Sequence, residues 1–377
     1  MTNKIAGSKK NKPINNKKIF YIVDGAITDN ENTVKTVIKN FINNYNFYNL
    51  THQSDLDGIT SSALLLHSNI ISLDKIYFGN YSERDVEKSI YELKKIKGSN
   101  NCLIFTDINN LDKSNLVDFL KKFREAGNKV IVLDHHPLKV DINDIAKILD
   151  VAVVGENKFC GADLVNEYII KNIGNDDTIS NEIVNIAHKS DFYLYKGTKD
   201  EYIIEKLSKI IDYINSHSKN TNTQNKKLKA VIKYISINNY NNKKINKFFE
   251  KYKREENKYI NLLLNKGNIF ELKNIHKILK VDVGFSKNLK SNNACEKIFE
   301  KTNADIAIFV NIKSGSVSIR RKDKCKVDLT KLASYFGGGG HPYASGFNLD
   351  KESLKTIKTK KGKQKLLDKI SKTINKL

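Results

Sequence analysis

Between residues 47 and 154 the chain alternates short apolar runs with longer stretches of helical spacing. Residues 47–51, 75–78, 102–106, 129–133 and 151–154 are the short runs, rich in Val, Ile, Leu and Phe, and read as strands. Between them, residues 59–67 carry Ala63, Leu64, Leu65 and Leu66. Residues 82–96 start at Ser82, a good N-cap, and stop at Gly98. Residues 113–126 place Leu116, Phe119, Leu120 and Phe123 on one face and stop at Gly127. A further helix runs from Cys160-Gly161 to residue 173, and another spans 182–188. Strand and helix alternating at this spacing predict a parallel sheet covered on both faces, an α/β fold. Upstream, residues 19–23 suit an edge strand and 34–41 a helix whose face is Val34, Val37, Ile38 and Phe41. Residues 1–18 are polar and lysine-rich and read as disordered.

The pattern weakens from 196 to 275, which is rich in Lys and Asn, with helical stretches at 203–214 and 228–237. It reads as a helical linker. It then changes again: a strand at 278–283, a helix at 293–302, a hairpin of 306–311 and 316–320 around Ser314-Gly315, and a helix at 329–335. The run Gly337-Gly338-Gly339-Gly340-His341 follows. The expected organisation is an extension (1–44), a parallel-sheet domain (45–195), the linker (196–276), a smaller α/β domain (277–350) and a basic C-terminal helix (351–377).

In a parallel sheet, ligands bind beyond the carboxyl ends of the strands. His52, Asp55, Asp57, Asp107, Asp134, His135 and His136 all fall at or just past such ends, so the topology gathers them in one place. Singly, each suits a loop hydrogen bond, and Asp57, before Gly58 at a helix start, suits an N-cap. Together with Asp191, six of them (His52, Asp55, Asp57, Asp107, His135 and Asp191) offer four carboxylates and two imidazoles with no thiolate. That donor set suits Mn²⁺, with Mg²⁺ as the alternative, better than structural zinc. Six ligands exceed one catalytic ion's needs and fit two ions about 3.5–4 Å apart, with Asp107 as the bridge. The glycine run lets backbone N–H groups approach an anion, and His341 and Arg320 could add phosphate contacts.

The net charge of +23 favours a polyanionic partner, with nucleic acid the default. Cys102, Cys160, Cys295 and Cys325 have neither zinc nor disulfide spacing, which points to a reducing cytoplasm. No apolar run approaches membrane-spanning length, so no membrane association is expected.

These motifs resemble, in order, those of the DHH phosphoesterase superfamily: His52-x-x-Asp55-x-Asp57-Gly58, Asp107 after an apolar strand, Asp134-His135-His136, and Asp191. The run Gly337-Gly338-Gly339-Gly340-His341-x-x-Ala344-x-Gly346 resembles the signature of the DHH-associated domain that binds substrate. The resemblance implies a two-domain, Mn²⁺-dependent phosphoesterase. His52, Asp55 and Asp107 would hold one ion, and Asp57, Asp107, His135 and Asp191 the other. His136 would contact the scissile phosphate, and Asp134 would orient the neighbouring histidines. Arg320, Gly338, Gly339, Gly340 and His341 would bind substrate. Residues 55–61 are closer to RecJ and the NrnB-type nanoRNases than to cyclic-dinucleotide phosphodiesterases. The expected substrate is short single-stranded RNA or DNA cut to mononucleotides, and a homodimer is allowed. The rivals are a RecJ-like single-stranded DNA exonuclease, a cyclic-dinucleotide or 3′-phosphoadenosine phosphate phosphoesterase, and a non-catalytic nucleic-acid-binding relative.

Overall fold

The apolar runs of the first half assemble as one seven-stranded sheet. The computed structural model describes residues 19–155, 158–264, 268–274, 277–286 and 291–374; the stretch 1–18, read as disordered, lies outside them. By compactness the chain divides into two units, Met1–Phe249 and Glu250–Leu377.

The first unit opens with β1 (Phe20–Val23), β2 (Ala26–Thr28) and α1 (Glu31–Asn44). Then come β3 (Asn46–His52), α2 (Leu56–His67), β4 (Ile76–Gly79), α3 (Glu83–Leu93), β5 (Asn101–Thr106), α4 (Ser114–Glu125), β6 (Lys129–Asp134), α5 (Ile142–Ala146), β7 (Val151–Val154), α6 (Gly161–Val165) and α7 (Thr178–Asp191). The strand order is β2-β1-β7-β6-β5-β3-β4, parallel from β7 to β4, with β1 antiparallel to β7 and β2 antiparallel to β1. The expected edge strand at 19–23 is therefore one place in from the edge, because the short β2 was not visible as a separate element. Chain order reverses between β3 and β5, the switch point where a doubly wound sheet opens a crevice at its carboxyl edge.

One sheet face packs Leu50, Leu103, Phe105, Val130 and Val132 against Val86, Ile90 and Leu93 of α3 and Leu116, Leu120 and Phe123 of α4. α2 is buried on every side from Leu56 to Leu65, beyond what an amphipathic stripe needs. Beneath the site runs a closed polar network. Asn49 Nδ2 donates to Thr106 Oγ1 (3.0 Å), Ser62 Oγ to Asn49 Oδ1 (2.5 Å) and Thr106 Oγ1 to Thr51 Oγ1 (3.0 Å), so these buried groups are satisfied.

The stretch read as linker begins as α8 (Glu201–His217) and α9 (Thr221–Ile235) and continues as α10 (Lys243–Leu264), which crosses the unit boundary. α8 and α9 pack on α2, with Ile204, Leu207, Ile210, Ile211, Ile214, Leu228, Val231 and Ile232 buried. A free linker would leave that stripe in water, so the first two helices belong to the first unit. Lys206 is buried as well, its ammonium held by Tyr240 O (2.9 Å) and Asn246 Oδ1 (2.8 Å).

The second unit contains β8 (Asn268–Asn274), β9 (Lys277–Ser286), α11 (Ser291–Lys301), β10 (Ile306–Asn311), β11 (Ser316–Arg321), α12 (Leu329–Tyr335), β12 (Gly339–His341), β13 (Ala344–Asn348), α13 (Lys351–Thr356) and α14 (Lys360–Ile374). Among the described residues its six strands run β12-β13-β11-β10-β9-β8, with β9 and β10 parallel and the other neighbours antiparallel. β8 lies in the stretch expected to be helical linker. The basic tail is two helices, and Leu366, Leu367, Ile370 and Ile374 of α14 complete the core with Val317, Ile319 and Phe347.

Candidate metal centre

β3 ends on His52, β5 is followed by Asp107, and β6 ends on Asp134 with His135 and His136 just beyond. Asp55, not Asp57, N-caps α2, its Oδ1 accepting from Gly58 N at 3.1 Å. That leaves Asp57 in the first turn, where both its oxygens take backbone N–H groups of α6: Gly161 to Oδ2 at 2.6 Å and Ala162 to Oδ1 at 2.8 Å. Gly58 lets this turn form, since a Cβ there would lie 2.2 Å from the His52 carbonyl oxygen. Asp107 has φ of +58°, a left-handed conformation that an aspartate tolerates better than most residues. Asp191, the last residue of α7, brings the sixth ligand candidate within 3.8 Å of His135 Nδ1.

The structure thus brings together all six side chains singled out as ligands. Two ligand atom sets, His52/Asp55/Asp107 and Asp57/His135/Asp191, each lie within 4.8 Å of one another and can hold a metal ion. Asp107 Oδ2 is 3.4 Å from His52 Nδ1, and its Oδ1 is 3.2 Å from His135 Nε2, so one carboxylate faces both groups. His52 Nδ1 also lies 2.8 Å from Asp55 Oδ2, and His52 Nδ1, Asp107 Oδ2 and His135 Nε2 are all buried at close range to oppositely charged partners rather than in aligned hydrogen bonds. Buried carboxylates gathered this closely are costly unless positive charge, protons or metal, occupies the space between them.

The electrostatics agree. Burial, and then the charges of Asp55 and Asp57, push the Asp107 carboxyl well above its ordinary value. Burial pushes Asp57 up to about 6 and also raises Asp191. Burial works against charge on His52, yet Asp107 and Asp55 outweigh it and push the imidazole up to about 10. Without metal, the cluster gathers protons in place of cations.

His136 is arranged differently. Asp134 is fully buried and accepts from His136 Nδ1 at 2.7 Å and His136 N at 3.2 Å, while Asn109 Nδ2 donates to its other oxygen at 2.6 Å. The ring is thereby fixed with Nε2 turned away from Asp134. Burial lowers the His136 pKa, but Asp134 overcomes it and holds the value above normal. Tyr81 stands edge-on to His52 and His136, with ring centroids 5.0 and 5.9 Å away, and its hydroxyl donates to Asp107 O at 3.3 Å.

Sequence reasoning missed Tyr81, Asn109 and Gly161. Asn109 and Tyr81 carry no pattern of their own. Gly161 was visible only as a helix start. A Cβ on it would lie 2.8 Å from Asp107 Cβ and 3.0 Å from Asp57 Oδ2. Behind it, Asp163 Oδ2 accepts from Cys160 N at 2.9 Å and contacts His188 Nδ1 at 2.6 Å, which anchors the α6 start to α7.

Arg320 and the glycine run lie in the second unit. Packing also calls for glycine at positions 338 and 340, where a Cβ would meet Gly346 O at 2.1 Å and Ala344 O at 2.6 Å; at Gly339 it would meet nothing within 4 Å.

The family model described as the DHH family N-terminal domain matches residues 47–188, and that of the DHHA1 domain matches residues 285–376. This is a DHH-family phosphoesterase. The phosphoesterase is similar to the solved pGpG-specific phosphodiesterase PggH from Vibrio cholerae, at 14% identity over 86% of this chain and 99% of that one, with a TM-score of 0.48. It is also similar to RecJ from Thermus thermophilus, solved in complex with Mn²⁺, at 12% identity over 86% of this chain and 53% of that one, with a TM-score of 0.49. No curated protein matches it. Among the described residues, no helix of this DHH-family protein is long and apolar enough to cross a membrane.

Because metal must displace protons here, its hold on this phosphoesterase depends on pH. The Asp57 carboxyl is raised from 3.8 to about 6 in the metal-free fold. Its contribution to metal-free stability is therefore present below the unfolded value and lost as pH rises through about 6. Metal restores that loss. The rise in melting temperature on adding Mn²⁺ is expected to be large at pH 8 and to shrink as pH falls through about 6. A shift of equal size at pH 8 and pH 5 would exclude these carboxylates as the ligands.

Proposed function

We propose that this phosphoesterase hydrolyses short single-stranded oligonucleotides, most simply short RNA, to mononucleotides, with two Mn²⁺ ions as its metals. The observation that carries the reading is the buried Asp107 carboxylate, whose two oxygens face His52 at 3.4 Å and His135 at 3.2 Å, one in each ligand group. Those groups would hold the ions, His52, Asp55 and Asp107 on one side and Asp57, Asp107, His135 and Asp191 on the other. Bound there, they supply Lewis-acid activation of water near neutral pH and offset charge on phosphoryl oxygens. The chain's own contributions are separate. Asp134 fixes His136 through Nδ1, so Nε2 is available to a phosphoryl oxygen as donor. The Tyr81 hydroxyl holds the Asp107 backbone, and the α6 N–H groups hold Asp57. In the second unit, Arg320, Gly338, Gly339, Gly340 and His341 are assigned to binding the substrate. The +23 net charge supports a polyanionic substrate.

A product ladder on end-labelled RNA and DNA of graded length, with Mn²⁺ or Mg²⁺, tests this. The specificity constant is expected to be highest for oligomers of about two to five nucleotides and to fall with salt. A steady climb beyond about ten nucleotides, reduced when the lysines of residues 220–260 are neutralised, would make the enzyme a RecJ-like exonuclease on long strands instead. No turnover of any linear oligomer, with hydrolysis of a cyclic dinucleotide or of 3′-phosphoadenosine phosphate, would move the substrate class.

A further inference from the structure

We infer that Tyr343 is a stacking platform for a nucleobase of the substrate, an inference that rests on the oligonucleotide reading above. Tyr343 is 55% exposed, and its ring lies parallel to the His341 ring, with an interplanar angle of 9° and centroids 5.5 Å apart. Of the other exposed tyrosines, Tyr193 lies in the first unit, two residues past Asp191, and three are engaged differently. Tyr91 has Lys95 over its ring, and Tyr202 and Tyr335 stand edge-on to Phe249 and Phe336.

The backbone under Tyr343 is fixed. Arg321 N donates to Tyr343 O at 3.2 Å, and Leu329 N and Arg321 Nε donate to Pro342 O at 3.0 and 3.1 Å. Ser345 Oγ donates to His341 O at 2.7 Å. Pro342 removes a further degree of freedom between the two rings. An aromatic face held rigidly in water gives up little conformational entropy when a flat partner covers it.

The sheet register supplies the other half of a nucleotide's chemistry. Arg320 and His341 both pair with Ala344, one from β11 and one from within the β12–β13 hairpin, so the three residues share a face. The Arg320 guanidinium, which donates through Nη1 to Ile319 O at 3.0 Å, and the His341 imidazole thus stand in one row whose N–H groups suit a phosphate, and the ring beside them suits the base attached to it. Every base has a π-face, so this contact tolerates sequence.

The test uses a dinucleotide carrying 2-aminopurine and its abasic counterpart. Tyr343→Ala is expected to raise KM for the base-bearing substrate about tenfold with little change in kcat, and to weaken quenching of the probe on binding. Tyr343→Phe should restore both. Tyr343→Leu, which keeps bulk and apolar area without a π-face, should behave as the alanine variant does. The abasic substrate should feel each change less than about twofold. Equal losses on the two substrates, or full quenching in the alanine variant, would overturn the platform while leaving the oligonucleotide reading in place. A wild-type protein that neither binds nor cleaves the dinucleotide removes the parent reading and this one with it.

Discussion

Replacing Asp107 by asparagine is expected to abolish turnover of a short oligonucleotide and of a small artificial phosphodiester alike. Asparagine has nearly the same shape and tolerates the left-handed backbone that Asp107 adopts at φ +58°, so the fold should survive. What is lost is the one carboxylate that faces both ligand groups, 3.4 Å from His52 and 3.2 Å from His135. The loss should run well beyond about 100-fold, the upper scale for removing a partner that only supports a metal ligand. Circular dichroism should be unchanged, while the melting-temperature rise on adding Mn²⁺ should largely vanish. Near-normal activity with saturating Mn²⁺ would leave the shared-carboxylate centre without support.

The parallel sheet and the six ligand candidates were legible because both depend on local pattern. Apolar runs such as 102–106 and 129–133 read as strands whatever surrounds them, and acidic or imidazole residues at their ends stand out against those runs. Three features were not legible. α2 is buried all round because α7, α8 and α9 cover its outer side, and nothing within residues 56–67 announces those neighbours. The apolar positions of α8 and α9 were visible, but Lys and Asn between them suggested a solvated linker; only packing on α2 shows where that stripe goes. The role of Gly161 is a matter of distance to two carboxylates more than 50 residues away in the chain, and no local pattern encodes it.

Gly161→Ala carries the second large expectation, because the added methyl has nowhere to go. Its carbon would sit 2.8 Å from Asp107 Cβ, 3.2 Å from Asp107 Cα and 3.0 Å from Asp57 Oδ2, against one residue held by its backbone and another held by two hydrogen bonds. Either α6 withdraws and Asp57 loses its two N–H donors, or Asp107 shifts. Both routes disturb the ligands, so Mn²⁺ affinity should fall by about tenfold or more and activity with it. Overpacking of this kind costs about 1–3 kcal/mol, so a folded but poorly metallated protein is the expected product. Isothermal titration with Mn²⁺ reads the affinity, and excess Mn²⁺ should recover part of the activity. Unchanged affinity would mean that the α6 start yields without moving either carboxylate.

The order of strands has a bearing on how the protein is made. His52 leaves β3, Asp107 leaves β5, His135 follows β6 and Asp191 closes α7, so the ligands span nearly the whole parallel-sheet segment. No early hairpin or single strand–helix–strand piece contains both halves of the centre. During synthesis the nascent chain must emerge past α7 before a complete set of donors exists, and pairing distant parallel strands is among the slower folding events. Metal capture at such a centre would thus be a late step, available to a chain whose first unit is already assembled, and premature fragments released from the ribosome would carry the acidic residues without a complete donor set.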